Sequence, residues 1–331
     1  MLICPRCGEP GAVHNGPGRT YHRACGKFGT IRNGGAVSQD AVARQADAAP
    51  VRKRITGGAE LRRHFLIPDT QVKKGVPTDH FAWVGEAIKD YKPDVVLHLG
   101  DHWDFPSLST HDAIGSIAKE GARVQDDIEA GNEALVLLDK HQGRFKPDEK
   151  VILEGNHEHR LIRAINNDPR LAGTLGYHLL NRERMGWEVV PYFNGAPGQI
   201  EIDGITYAHF FAAVNTGRAI GGTPHNKINH VGTSFVQGHV QGYDVGSKQY
   251  STGKIKKGIV AGSCYLHDED YKGMANNHWR GVVVLNEVRD GTFCEMPLSL
   301  DYLCRKYEGI SLGAYMRKNK KYRHLTLASL P

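Results

Sequence analysis

Four short apolar segments of this chain run directly into polar residues of the kinds that bind metal ions. The segments are rich in Val, Ile, Leu and Phe, which is typical of strands buried in a sheet. Their polar continuations contain Asp, Asn, His and Gln and lie at residues 69–71, 101–104, 156–158 and 239–241. Because the carboxyl ends of neighbouring parallel strands meet at one edge of an α/β sheet, this arrangement predicts a metal site assembled from distant segments.

The first half of the chain alternates between predicted strands and predicted helices, whereas the second half is mostly predicted strands. Asp203 and Gly204 separate two alternating strands and are typical of a hairpin turn. This pattern predicts an α/β fold in which two facing sheets are flanked by helices. The predicted strands are 64–68, 95–99, 151–154, 199–202, 205–208, 235–237, 259–261, 281–285 and 292–295, and the predicted helices are 78–91, 121–141 and 157–166.

The order of the polar clusters, with His209 between the third and the fourth, resembles that of the calcineurin-like metallophosphoesterases of phages and bacteria. The family pattern runs D-x-H, GD-x-x-D, GNH-E/D, H and GH-x-H, and the resemblance covers roughly residues 62–290. It implies a four-layer αββα sandwich and an enzyme that hydrolyses phosphate esters with two divalent cations. It also implies that Asp101 bridges the two cations. The remaining ligands it implies are Asp69 for the first cation and Asn156, His209 and His239 for the second.

The chain departs from the family pattern at Gln71 and Gln241, where the family has His. In the family both positions serve the first cation. Amide oxygens in place of imidazoles would make that site oxygen-rich, which favours Mn or Mg over Zn. The alternative is that the first site is degraded and that one cation is sufficient.

The resemblance gives His157 the role of the acid that protonates the leaving oxygen, and imidazole titrates in the range that this role requires. Asp104 would orient His157 through a hydrogen bond, or would act only as a capping carboxylate. Arg160 would pair with the substrate phosphate, or would lie exposed on its helix. His225 and His230, in the loop before a late strand, would line the substrate groove or simply be solvated.

Residues 1–29 contain a second candidate metal site. The spacing C-x2-C-x14-H-x2-C is that of a tetrahedral Cys3His set suited to structural zinc. So short a segment cannot bury a core, and zinc would have to supply its folding energy. The segment resembles the zinc ribbons of transposase-like and phage proteins, although His14 competes as a ligand and a disordered tail with incidental cysteines is the alternative. The predicted zinc ligands are Cys4, Cys7, His22 and Cys25.

Charge is distributed unevenly along the chain. The net charge is +5 over residues 1–60, −5 over 61–304 and +6 over 305–331. Carboxylates that hold divalent cations explain the acidic middle, whereas basic ends favour a polyanionic partner, since Lys and Arg release counterions from nucleic acid. We therefore expect a nucleic-acid partner, DNA rather than RNA, although terminal charges can also serve solubility alone.

These observations divide the chain into a zinc-ribbon-like module at 1–29, a linker at 30–60, a metallophosphoesterase domain at 61–300 and a basic tail at 301–331. No apolar run approaches the roughly 20 residues of a membrane span, and the start has no apolar signal segment. With cysteines suited to a reducing compartment, we expect a cytoplasmic protein, in the host cytoplasm if a phage encodes it.

The favoured function is that of a phosphodiesterase or nuclease. A phosphomonoesterase acting on protein or nucleotide is the first alternative, because it explains the predicted metal centre equally well. It is less favoured because it leaves the basic ends unexplained. A non-catalytic nucleic-acid-binding protein with a degraded metal site is the second.

Overall fold

We describe a computed structural model of the chain. Residues 60–110, 119–193, 195–269, 276–319 and 322 are described in full, and the strands within residues 1–54 are described by their backbone pairing. Strands β1 to β4 form an antiparallel sheet in sequence order. The bounds of the N-terminal strands are β1 Leu2–Ile3, β2 Pro10–His14, β3 Arg19–His22, β4 Lys27–Thr30 and β5 Val51–Arg54.

The rest of the described chain is a mixed α/β fold with two mixed sheets. Its further strands are β6 Arg62–Ile67, β7 Val95–His98, β8 Glu149–Leu153, β9 Glu188–Val190, β10 Gln199–Ile202, β11 Ile205–Ala208, β12 Ser234–Gln237, β13 Tyr243–Gln249, β14 Ile255–Ala261, β15 Gly281–Arg289 and β16 Thr292–Ser299. The α-helices are α1 His80–Tyr91, α2 Val124–Gln142, α3 His159–Asn167, α4 Pro224–Val231, α5 Leu300–Glu308 and α6 Leu312–Lys318. Short 3-10 helices occur at Pro106–Leu108, Pro169–Leu171, Tyr177–Leu179 and Glu183–Met185.

Sheet I, with strand order β16-β15-β6-β7-β8-β9, holds three of the predicted polar clusters at one edge. Strands β6, β7 and β8 are parallel neighbours, with Ile67 paired to His98 and His98 paired to Ile152. Because these strands end level with one another, the loops that follow them begin side by side. The clusters at 69–71, 101–104 and 156–158 therefore share one edge.

Sheet II, with strand order β13-β14-β12-β11-β10-β5, brings the remaining two ligand segments together. Strands β11 and β12 are parallel, and their last residues Ala208 and Gln237 are paired. His209 follows Ala208 directly, and His239 lies two residues beyond Gln237. Two histidines that are far apart in sequence thus start from neighbouring strand ends.

The two sheets pack face to face through side chains that alternate along each strand. On β6, Leu66 points into the core between the sheets, whereas Phe65 and Ile67 point to the opposite face of sheet I. Apolar residues on both faces are what a sheet covered on both sides requires. The core between the sheets is fully buried and includes Leu97 and Leu153 from sheet I and Ile200, Tyr207, Val236 and Ile259 from sheet II.

Helices cover the outer faces of both sheets. Residues of α1, α2, α5 and α6 share one buried cluster with the outer side chains of sheet I. On the outer face of sheet II, Ile228 of α4 packs with Phe211 and Phe235. Within the described residues no helix is both long enough and apolar enough to cross a membrane.

The structure extends the α/β fold beyond the boundaries drawn from the sequence. Strand β5 lies in the predicted linker and pairs in parallel with β10. Residues 300–318 lie in the predicted tail and form α5 and α6, whose N-termini are capped by the hydroxyl oxygens of Ser299 and Ser311. Leu303 and Met316 are buried against the core, so this segment belongs to the packed domain and not to a separate arm.

Candidate metal centre

Four residues at the strand ends have a left-handed backbone conformation although none of them is Gly. The φ angles are 40° at Gln71, 51° at Asp101, 68° at His239 and 65° at Gln241. Such conformations cost free energy for residues with a side chain and cluster at functional sites. All four are ligands predicted from the sequence, and Phe105, in the loop that carries Asp101, shares this conformation with a φ of 50°.

Backbone hydrogen bonds hold the strained loops against one another. The Gln71 N–H donates to the Asp101 carbonyl at 2.9 Å, and the His239 N–H donates to Asp69 Oδ1 at 3.0 Å. Two glycines permit this close approach, since a Cβ added at Gly155 would overlap the Asp101 carboxylate and one at Gly238 would overlap Asp69. The glycines that precede Asn156 and His239 are therefore required by packing around the two aspartates.

Polar atoms of Asp101, Asn156, His209 and His239 converge on one point. His209 Nε2 lies 3.2 Å from Asp101 Oδ2, 3.1 Å from Asn156 Oδ1 and 3.3 Å from His239 Nδ1. Asp101, His209 and His239 each offer a ligand atom within 4.8 Å of the others. One carboxylate, one amide oxygen and two imidazoles form a donor set that suits a divalent transition metal.

The hydrogen bonding of His209 fixes which of its nitrogens faces this point. Its Nδ1 lies 2.9 Å from the Leu99 carbonyl, which accepts a hydrogen bond from Nδ1–H and leaves Nε2 directed at Asp101. A backbone carbonyl in this position is a common partner of a metal-binding imidazole. Although burial opposes it, the nearby Asp101 carboxylate raises the pKa of His209 to about 10, so a cation that binds Nε2 would displace its proton. Burial and the His209 charge lower the pKa of His239 to about 4, which leaves a neutral imidazole able to act as a ligand.

Asp69 and Gln71, in the loop after β6, contact His239 and Asp101 and carry buried oxygen atoms. Within the part of the chain that the structure describes, the buried Asp69 Oδ2 and Gln71 Oε1 have no hydrogen-bond partner. Buried acceptors without donors are costly, and a cation would satisfy both. Gln241 Oε1 differs, because it accepts a hydrogen bond from the Tyr265 hydroxyl at 2.9 Å. Asp69 and Gln71 thus offer oxygen atoms that suit an oxygen-rich cation site, whereas the oxygen of Gln241 is held by Tyr265.

We expect the double variant Gln71→His with Gln241→His to shift the metal preference toward Zn. The two imidazoles would convert an oxygen-rich site to a mixed nitrogen and oxygen site, which favours borderline metals. The measurement is the affinity of the wild-type and variant proteins for Mn, Mg and Zn, by titration of each metal into chelator-stripped protein. An unchanged metal profile in the variant would mean that these side chains are not ligands.

His157 lies beside the converging atoms and is held by Asp104. Its Nδ1 is 2.7 Å from Asp104 Oδ1, and its Nε2 is 3.7 Å from Asp101 Oδ2. Burial opposes protonation, but Asp101 and Asp104 raise the pKa of His157 above its usual value. The carboxylate of Asp104 therefore contacts the His157 imidazole, which agrees with the first of the two roles considered for it, and it does not cap either of the described helices beside it.

Arg160 is buried and not exposed, in contrast to a typical helical arginine. Its Nη1 donates to the backbone carbonyls of Asp104 at 2.8 Å and Phe105 at 3.2 Å, and its Nη2 lies 3.3 Å from His157 Nε2. These contacts hold the loop that carries Asp104. Arg160 thus supports the loop and reaches His157 at the same time.

Glu158 has a role that the sequence analysis did not predict. Its Oε2 accepts hydrogen bonds from the backbone N–H groups of Gly155 at 2.8 Å and Asp101 at 3.0 Å. Its Oε1 accepts from those of His102 at 2.5 Å and Trp103 at 3.1 Å. One buried carboxylate therefore joins the loops that follow β7 and β8. Only its position three residues after Gly155 could have suggested this, since the other three donors lie 55 to 57 residues away.

The remaining predicted site residues lie elsewhere. His225 and His230 lie on helix α4 and not in a loop, and the exposed His225 Nδ1 bonds to the Ser247 carbonyl at 2.9 Å. These two residues are not within the converging group. Of the predicted zinc ligands, Cys4, Cys7 and Cys25 lie outside the described residues, and His22 is described only as the last residue of β3.

Comparisons with known proteins identify relatives in mycobacteriophages. The Gene 54 protein of Mycobacterium phage D29 is 31% identical over 186 residues, which cover 54% of this chain and 68% of the relative. The Gene 54 protein of Mycobacterium phage L5 is 27% identical over an alignment of the same length and coverage. No protein-family model matches the chain. At this identity and coverage, the chain belongs to the same family as the Gene 54 protein of Mycobacterium phage D29.

Proposed function

We propose that this protein is a metal-dependent phosphoester hydrolase of the calcineurin-like type, acting as a phosphodiesterase on nucleic acid. The observation that carries the proposal is the convergence of Asp101, Asn156, His209 and His239, with the unpartnered oxygens of Asp69 and Gln71 beside them. Two facing sheets with helices on their outer faces are compatible with the four-layer αββα sandwich that the sequence resemblance implies.

Two divalent cations fit the donor atoms of the centre. The first would be held by Asp69, Gln71 and Gln241, where Mn or Mg is favoured, and the second by the amide and imidazole ligands. Asp101 is central enough to serve both. When bound, such cations polarise a phosphate and lower the pKa of water, which then attacks phosphorus.

The chain supplies the remaining catalytic groups itself. His157 would give a proton to the leaving oxygen, and Asp104 would keep its imidazole in the orientation needed for this. Arg160 holds the loop of Asp104 through two backbone carbonyls. Its guanidinium also lies close enough to His157 to attract a phosphate held there.

Aromatic side chains beside the centre favour a nucleic-acid substrate. The rings of Tyr192 and His159 are stacked at 4.3 Å, and Phe210 lies 6.4 Å from Tyr192 and 4.8 Å from His239. The exposed Arg163 is one helical turn from His159 and close enough to influence Tyr192. A row of aromatic rings with a cation beside it is suited to stack a base and to pair with its phosphate.

Replacing Tyr192 with Ala should weaken the binding of substrates that carry a base. Loss of one stacking contact should raise KM for the p-nitrophenyl ester of thymidine monophosphate about 10-fold, since base stacking contributes about 1–3 kcal/mol. KM for methyl p-nitrophenyl phosphate, which has the same leaving group and no base, should change little. Tyr302→Ala, which removes a 44% exposed tyrosine on α5, is the matched control. An equal change for both esters would exclude a base-stacking role.

The experiment that tests the proposed function is a matrix of metals and substrates with the full chain. Mn, Mg, Ni and Zn are each combined with bis-p-nitrophenyl phosphate, p-nitrophenyl phosphate, and single- and double-stranded DNA and RNA. We expect hydrolysis of the diester and of polynucleotide with Mn or Mg. A preference for the monoester would favour a phosphomonoesterase, and inactivity with every metal would favour a non-catalytic binding protein.

A further inference from the structure

A chain of buried and half-buried polar side chains connects His157 to residues outside the candidate ligand set. Asp104, which contacts His157 through Oδ1, contacts Lys73 Nζ through Oδ2 at 3.0 Å. Lys73 Nζ in turn donates to Glu269 Oε2 at 2.6 Å, and Glu269 Oε1 lies 2.8 Å from His267 Nε2. We call these five residues the Lys73 relay. Both oxygens of Asp104 and both of Glu269 are thus occupied within it.

The far end of the Lys73 relay is held in place by backbone contacts. Asn276 Nδ2 donates to the Glu269 carbonyl, and Asn276 Oδ1 accepts from the Glu269 N–H, both at 2.9 Å. Glu269 and Asn276 are each at least 95% buried. Because Asn276 holds both the N–H and the carbonyl of Glu269, the Glu269 carboxylate is a fixed partner for Lys73 opposite Asp104.

The ion pairs of Lys73 differ from an ordinary surface salt bridge. The side chain of Lys73 is 21% exposed, and those of its partners Asp104 and Glu269 are 6% and 2% exposed. The next residue, Lys74, is 71% exposed and pairs with Asp126 at 2.9 Å. Removing one member of a buried set leaves charge without compensation, which is strongly unfavourable. Without Lys73, no cation would lie between the carboxylates of Asp104 and Glu269. Their mutual repulsion would then favour a rotation of the Asp104 side chain.

We propose that Lys73 and Glu269 are positioning residues for the proton donor His157, and that they act by fixing the carboxylate of Asp104. This inference rests on the proposed function. Lys73 sets the orientation of Asp104 because it occupies Oδ2 and leaves Oδ1 for the imidazole. Neither residue belongs to the ligand set predicted from the sequence. Their contact could not be predicted either, because Glu269 lies 196 positions from Lys73.

The step that the Lys73 relay supports is the departure of the leaving group. Attack by water forms a new P–O bond, the P–O bond to the leaving oxygen breaks, and the proton of His157 Nε2 passes to that oxygen. Solvent takes the proton lost by the water and later restores the proton of His157. Proton donation matters most when the leaving oxygen is strongly basic, because a weakly basic oxygen departs without it. A misplaced His157 should therefore slow substrates with poor leaving groups selectively.

The test compares Lys73→Met with wild-type protein on methyl phenyl phosphate and methyl p-nitrophenyl phosphate in the presence of Mn. A positioned acid contributes about 100- to 10,000-fold, and we expect Lys73→Met to lose about 10- to 100-fold in kcat for the phenyl ester. We expect a loss of less than about 3-fold for the p-nitrophenyl ester, whose leaving oxygen gains little from general-acid assistance. KM and the bound Mn should stay close to their wild-type values.

Three further variants separate positioning from a structural role. Lys74→Met removes the neighbouring exposed lysine and should leave both rates unchanged. Lys73→Arg keeps the charge and should restore most of the phenyl ester rate. Glu269→Gln retains Lys73 and should also lose more kcat for the phenyl ester than for the p-nitrophenyl ester. This variant keeps the proposal testable if Lys73→Met does not fold.

Several outcomes would overturn the proposal. An equal fall in kcat for both esters would indicate a general structural or metal defect, and a rise in KM at constant kcat would mean that Lys73 binds substrate directly. Wild-type protein that hydrolyses neither ester with Mn would instead refute the proposed function. If the wild-type protein is active but neither Lys73→Met nor Glu269→Gln loses more kcat for the phenyl ester than for the p-nitrophenyl ester, the positioning role alone would be refuted.

Discussion

Replacing Asp101 with Asn is expected to lower kcat for phosphodiester hydrolysis by about 1000-fold or more. The amide keeps the shape of the side chain and one oxygen for the backbone N–H of His157, which donates to Asp101 Oδ1 at 2.9 Å. It removes the negative charge at the point where Asn156, His209 and His239 converge. A 1000-fold loss corresponds to about 4 kcal/mol, which is in the range of the several kcal/mol that metal ions contribute to transition-state stabilisation.

The control for this variant is Asp148→Asn, which makes the same chemical change at a side chain that is 75% exposed. Bound Mn is measured alongside the rate, because loss of the central carboxylate should lower metal content as well as activity. An Asp101→Asn protein that retained both would contradict the central position of this residue.

Glu158→Gln should have the largest effect on stability, lowering the free energy of unfolding by about 3 kcal/mol, because a buried donor left without its acceptor costs about 1–3 kcal/mol. Burial and the nearby Asp101 raise the pKa of Glu158 to about 7, so this loss comes from the unpaired backbone donors and not from the charge of the carboxylate. The carboxylate accepts from four backbone N–H groups. A Gln side chain offers one oxygen and directs an NH₂ group at donors. The loops after β7 and β8 would then lose their common anchor.

Urea denaturation at neutral pH measures this change, with Glu133→Gln on the exposed face of α2 as the control. Surface substitutions of this type usually alter stability by less than about 0.5 kcal/mol. If Glu158→Gln were as stable as the control, the four hydrogen bonds would not stabilise the folded state.

Strands buried on both faces could be predicted from the sequence, because they contain runs of consecutive apolar residues, such as Val95–Leu97 of β7. Strand β7 is buried at all four positions, and the prediction of 95–99 matches it to within one residue. Strand β13 was not predicted, because an edge strand with alternating partial exposure carries few apolar residues. Helix α4 was not predicted either, since its sequence is polar and only Pro224 at its start indicates a helix.

The candidate ligands could be proposed from the sequence because each lies within four residues of the end of a strand, so that local sequence indicates both its chemistry and its place in the sheet. Supporting residues could not be found in this way. Glu158, Lys73 and Tyr265 act through contacts with segments that lie 24 to 196 residues away. Their roles depend on how loops meet in three dimensions, which no local pattern encodes.

The most direct test of the proposed metal centre is a Mn titration of chelator-stripped full-length protein, followed by both bound Mn and hydrolysis of bis-p-nitrophenyl phosphate. We predict that stripping abolishes activity and that activity returns as about two Mn ions bind per chain, the number that a two-metal centre requires. Full activity after stripping would contradict the account. So would protein that binds Mn and hydrolyses no phosphate ester.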